Sequence, residues 1–115
     1  MSRSALSSAV LILALAAGMT AMHPGASRAD LIKLDLLIRS CTGKSAVTLA
    51  DCTGYVAGVS DMLEDEHAIC PGGAQLKAVR EMVVGYLQSH HFAPETHAAG
   101  AVSEALRAGY ACKKP

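Results

Sequence analysis

Residues 49–63, LADCTGYVAGVSDML, decide the fold. Within them Leu49, Cys52, Val56, Val59 and Leu63 recur at steps of three and four, which stacks them on one stripe of an α-helix. Tyr55 and Met62 widen the stripe. Thr48 precedes the run as an N-cap. With Asp51 in the first turn it makes a capping-box-like start, and the carboxylate suits the positive end of the helix dipole. Gly54 and Gly58 lie four apart on an adjoining face, where each costs about 1 kcal/mol of helix propensity relative to alanine. Such a cost points to a neighbouring helix, or a partner, that approaches the backbone closely.

The same period continues on both sides. Upstream, Asp30 suits the N-cap of a helix whose Leu31, Leu34, Leu37, Ile38 and Cys41 share a face, and Gly43 stops it. Downstream, Pro71-Gly72-Gly73 is a turn. Behind it Leu76, Val79, Val83, Tyr86 and Leu87 mark a third helix that ends near Ser89-His90-His91. Pro94 and Glu95 suit the first turn of a fourth, whose small-residue face is Ala98, Ala101, Val102, Ala105, Leu106 and Gly109. No stretch alternates apolar and polar residues for long enough to make a strand. The expected class is all-α: a small four-helix up-and-down bundle, its loops short enough to set successive helices antiparallel.

That topology sorts the four cysteines. The end of helix 1 meets the start of helix 2, so Cys41 should lie beside Cys52; the ends of helices 2 and 4 share a pole, so Cys70 should lie beside Cys112. Residues 1–29 read as a cleavable secretory signal peptide. Arg3 is its positive start, Ala9 to Ala17 its apolar centre, and Ser27 and Ala29 are the small residues before the cut. The apolar centre is shorter than the roughly 20 residues of a membrane span, so no stable insertion is expected after cleavage.

Removing 29 of the 115 residues leaves an 86-residue domain, residues 30–115, with eight basic and ten acidic residues. A chain of that size buries only about 60–65% of its unfolded surface, so two disulfides in an oxidising compartment supply needed stability. The near-balance of charge shows no footprint for nucleic acid.

Little in the chain supports catalysis. Ser60, Asp61 and His67 follow one another on a single helix, which does not build a nucleophile–base–carboxylate relay. There is no Gly-x-Ser-x-Gly elbow, no glycine-rich phosphate loop after a strand, and no cysteine left over as a free thiol. The cysteines lack the Cys-x-x-Cys spacing of a structural zinc site, and His90, His91 and His97 read as a solvated loop and helix start; neither metal nor other cofactor is expected. Glu64-Asp65-Glu66-His67 is the one acidic cluster; it reads first as a solvated helix end, and its poor placement at a helix C-terminus lends mild support to an outside partner.

The run Cys52-Thr53-Gly54-Tyr55-Val56-Ala57-Gly58-Val59-Ser60-Asp61 resembles the second-helix signature of the Rap/Tai immunity proteins of type VI secretion systems. The resemblance continues through Ile69-Cys70-Pro71, Val83-Val84-Gly85-Tyr86-Leu87 with His90, Pro94-Glu95, Ala105-Leu106 and Tyr110-Ala111-Cys112, spanning about residues 31–112. Gly54, Tyr55, Gly58 and Asp61 are its signature positions. Two departures fall in loops: no leucine separates Cys70 from Pro71, and His91 stands where the family usually has proline.

The resemblance implies a small helical periplasmic protein, often a homodimer, that binds and occludes a cognate peptidoglycan amidase and is not itself an enzyme. An obstructing loop would then come from Pro71, Gly72 and Gly73 or from His90, His91 and Phe92, although Phe92 also suits a cap on the core. Two other readings fit a small, stapled helical domain. One is an acid-stress chaperone of the HdeA type, whose histidines 67, 90, 91 and 97 would titrate near pH 6; the other is a general interaction module of the cell envelope.

Overall fold

The computed structural model describes residues 31–114. The expected leader and the Asp30 cap lie outside the described residues. Four helices follow in chain order: α1 (Leu34–Thr42), α2 (Ala46–Asp65), α3 (Leu76–Ser89) and α4 (Ala98–Gly109). They pack around one core, and no strand forms among the described residues.

Each helix buries one stripe. From α1 come Leu34 and Leu37; from α2, Cys52, Val56, Ser60 and Leu63; from α3, Val79, Val83 and Leu87. Ala98, Ala101, Val102, Ala105 and Leu106 complete the core from α4. The small residues of α4 let α3 approach closely: a Cβ at Gly109 would come within 2.5 Å of Met82 Sδ. Ser60 is the one buried polar residue among those described, and its hydroxyl donates to Val56 O at 2.7 Å. Not every expected core residue is inside. Leu31, Met62 and Leu76 are exposed, and Leu49, Val59 and Tyr86 are half-buried.

Both cysteine pairs are those the topology called for: Cys41–Cys52 ties the end of α1 to α2, and Cys70–Cys112 ties the chain beyond α2 to the chain beyond α4. The Cys70 N–H also donates to Tyr110 O at 2.8 Å, so backbone and disulfide join the two segments side by side.

Three helix starts differ from expectation. α1 begins at Leu34, because residues 32–34 run extended against 96–98. Leu34 N donates to Thr96 O at 2.9 Å, and Ala98 N donates to Ile32 O at 2.8 Å. Neither α1 nor α4 has a side-chain cap, and this exchange satisfies a first-turn donor of each. Pro94 and Glu95 consequently lie in a turn closed by Thr96 N donating to Ala93 O, ahead of α4. α2 begins one turn earlier than expected, at Ala46, with Ser45 as its N-cap: Ser45 Oγ accepts from Thr48 N at 3.1 Å. Asp51 is therefore beyond the first turn.

α2 ends in a Schellman motif. Ala68 N donates to Leu63 O and His67 N to Glu64 O, which places His67 in the left-handed region at φ 56°. Glycine is the usual residue there, since a side chain at positive φ is sterically disfavoured. Replacing His67→Gly is expected to stabilise the fold by about 0.5–1 kcal/mol, the relieved strain being partly offset by the added freedom of the unfolded chain. An unchanged or lower denaturation midpoint would contradict this.

Candidate functional site

The exposed surface beside α2 carries a turn and two grooves. Pro71 to Ala74 form the turn, closed by Ala74 N donating to Pro71 O at 3.1 Å. Gly72 and Gly73 sit at φ 61° and 81°, backbone that glycine adopts without cost, and both are exposed. The base of the turn is fixed on its N-terminal side. Ile69 is 3% exposed in the core, and Cys70 is bonded to Cys112. An exposed tip thus stands on a rigid root.

The first groove lies between the C-terminal half of α2, the 69–74 segment and the start of α3, and has a volume of about 310 Å³. Ala57, Ile69, Pro71, Ala74, Leu76 and Val79 line it, while Ser60, Asp61 and Glu64 contribute its polar atoms. Asp61 and Glu64 are exposed. The ion pairs among the described residues, Arg39–Asp35 and Lys77–Glu81, lie elsewhere. The last turn of α2 carries no basic residue, so the acidic cluster faces solvent and the negative helix end without a counter-charge.

A second groove, of about 530 Å³, runs between α1 and the first half of α2. Ile32, Leu36, Ala50, Asp51, Gly54 and Tyr55 are among its lining residues. With Leu31 it forms an apolar face: Leu31 is 56% and Leu36 50% exposed. Its Tyr55 is half-buried against the core, and burial raises the pKa of that phenol above its ordinary value.

The 90–92 segment is more constrained. His90 Nδ1 lies 2.9 Å from Tyr86 O and 3.0 Å from Ser89 Oγ, and its ring stacks on Tyr86 at 3.7 Å between centroids. The Tyr86 hydroxyl donates to Glu104 Oε1 at 3.1 Å. Desolvation, and then the bond to Glu104 and its charge, raise the Tyr86 pKa. Phe92 is half-buried and packs on the core, whereas His91 is exposed. Among the described residues no group of three or more His, Cys, Asp or Glu gathers as metal ligands would. No described helix is long and apolar enough to cross a membrane.

Three of the four signature positions line these grooves, and Gly58, exposed on α2, lines neither. Asp61 lies on the α2–α3 groove; Gly54 and Tyr55 lie on the α1–α2 groove. No neighbouring helix accounts for the two glycines, since a Cβ at Gly54 or Gly58 would meet nothing within 4 Å. Gly58→Ala is therefore expected to stabilise the isolated protein by roughly 0.5–1 kcal/mol through helix propensity alone. Thermal denaturation checks the sign, and a loss of stability would mean that the site is crowded after all.

The sequence had marked the 71–73 turn, Asp61 and the acidic cluster. No local pattern marks Ile69, Ala74, Leu76 and Val79 as groove residues, because only tertiary packing brings α3 beside α2. Ile32 and Leu36 go unmarked for a similar reason: extended pairing with residues 96–98 displaces the chain before α1 from the helix it was expected to join.

Residues 33–112 match the family model of the Rap1a immunity proteins. No curated protein and no solved structure gives a match.

Proposed function

Because the chain belongs to the Rap1a immunity proteins, we propose that it protects its cell by binding and occluding a cognate peptidoglycan amidase effector of a type VI secretion system. Family membership implies an inhibitor that engages a protein partner, in place of an enzyme. The finer assignment, to an amidase met in the periplasm, is supported above all by the 71–74 turn. A loop that blocks a cleft must be exposed at its tip and held at its root, because a rigid loop loses little conformational freedom on binding. Gly72 and Gly73 supply the tip, and Ile69 with Cys70–Cys112 supplies the root.

Two disulfides are consistent with a periplasmic or extracellular protein, and the leader-like residues 1–29 support export to the periplasm. Self-association belongs to the same reading. Leu31, Ile32 and Leu36 offer an exposed apolar face for a second copy, so Leu36→Glu should leave the chain folded and monomeric.

The test is inhibition of an amidase encoded beside the gene. The oxidised chain should form a complex burying on the order of 1,600 Å² in total and protect cells that export the amidase. Lengthening or deleting the 71–74 turn should abolish inhibition while the helical spectrum persists. Absence of binding to any such amidase would defeat the proposal. Dissociation at acid pH with rescue of aggregating client proteins would instead favour the chaperone reading.

A further inference from the structure

We propose that the α2–α3 groove is the docking site for a cationic side chain, arginine or lysine, presented by the protein partner. The inference deepens the reading that the chain acts by binding a protein, and it names the chemistry that the partner must offer.

The groove has the composition of a receptor for a long, amphipathic cation. Ile69, Leu76 and Val79 give it an apolar floor, and Ala57 and Ala74 leave it open because their side chains are short. Among its nine lining residues two are carboxylates, Asp61 and Glu64, and none is basic. Ser60 does not compete for a ligand, since its hydroxyl already donates to Val56 O. Lysine and arginine bury an aliphatic stem against apolar surface while their charged heads stay wet, which matches a floor of hydrocarbon with acids at the rim.

Charge complementarity selects this occupant. Asp61 and Glu64 stand one turn apart on the same helix, so one guanidinium or ammonium can lie between them. Neither takes part in an ion pair within the described residues. The negative end of the α2 dipole adds to their field; the positive end of α3, at Leu76 on the opposite wall, opposes a cation and so confines it to the α2 side. An anionic side chain would meet two like charges and no basic side chain, with only the α3 N-terminus in its favour. At about 310 Å³ the groove is at the small end for a ligand site, a fit for one inserted side chain with its flanking backbone.

The probe is a capped pentapeptide with arginine at its centre and leucine on either side. It is titrated into the isotopically labelled oxidised chain and followed by amide chemical shifts. Saturable shifts are expected at Ala57, Asp61, Glu64, Ile69, Ala74 and Leu76, and a peptide with glutamate at the centre should produce none. The double variant Asp61→Asn with Glu64→Gln should weaken arginine-peptide binding about fivefold, because each partly solvated ion pair contributes modestly. Both substitutions are exposed and preserve side-chain size, and an unchanged spectrum without peptide verifies the fold.

Equal binding of a norleucine peptide would overturn the proposal. So would shifts scattered elsewhere, no shift with arginine, or undiminished affinity of the double variant. A separate arm uses the amidase. Should the wild type capture it and the double variant bind equally well, the groove assignment falls and the immunity reading stands. Should no amidase bind while the arginine peptide still occupies the groove, the immunity reading falls and the groove assignment stands.

Discussion

Replacing Cys70 and Cys112 together by alanine is expected to cost about 4 kcal/mol, and replacing Cys41 and Cys52 about 3 kcal/mol. The order follows from the loops. The first pair spans a sequence separation of 42 and the second only 11, so the first removes more freedom from the unfolded chain. A domain with total stability of about 5–15 kcal/mol is left marginal by the larger loss. Guanidinium denaturation of the two double variants, compared at equal slopes, measures both. A larger loss for Cys41–Cys52 would show that the chain-entropy argument does not govern this fold. Loss of the 70–112 link should also raise amide exchange throughout the 71–74 turn, because only Ile69 and one backbone bond would then hold its root.

Leu106→Ala is expected to cost about 2–5 kcal/mol. Leu106 is 0% exposed and lies among the small residues of α4, whose short side chains have little reach to fill the space it leaves. Leu76→Ala is the companion measurement. Leu76 is 41% exposed on the groove rim, so its truncation should cost less than about 1 kcal/mol. Comparable losses at the two leucines would mean that the groove is part of the core, and that a partner could not use it without unfolding α3.

The bundle was legible wherever a periodic stripe was long. Cys52, Val56 and Leu63 on α2, Val79, Val83 and Leu87 on α3, and Ala98, Ala101 and Ala105 on α4 all lie inside, as their spacing requires. The disulfides followed because a short connection forces neighbouring helix ends together. Helix starts were less legible, for two physical reasons. Ser45 and Thr48 are both hydroxyl residues three apart, and Asp51, three beyond Thr48, points to the later start; the bond from Thr48 N to Ser45 Oγ decides for the earlier one. Leu34 and Ala98 are instead capped by each other's flanking chain, a pairing of residues over sixty positions apart that no local pattern announces.

The candidate site divides in the same way. Pro71-Gly72-Gly73 announced its turn, and Asp61 and Glu64 announced their charge, because each is a property of adjacent residues. The apolar floor of the groove did not, since Ala57 and Val79 come from different helices. His67 gave no warning of its left-handed backbone either. A histidine substitutes there for the glycine by which such helix ends are usually recognised.

The pairing of the cysteines also bears on how the chain is made. Cys41 joins Cys52 and Cys70 joins Cys112, so each cysteine is bonded to its immediate neighbour in the order of the chain. The two covalent loops neither overlap nor nest. An oxidant that meets the chain as it emerges from the N-terminal end, and links thiols in order of appearance, makes the native bonds at the first attempt. No thiol–disulfide shuffling step has to follow, and maturation of this protein should proceed at full yield where an oxidase is present and an isomerase is not.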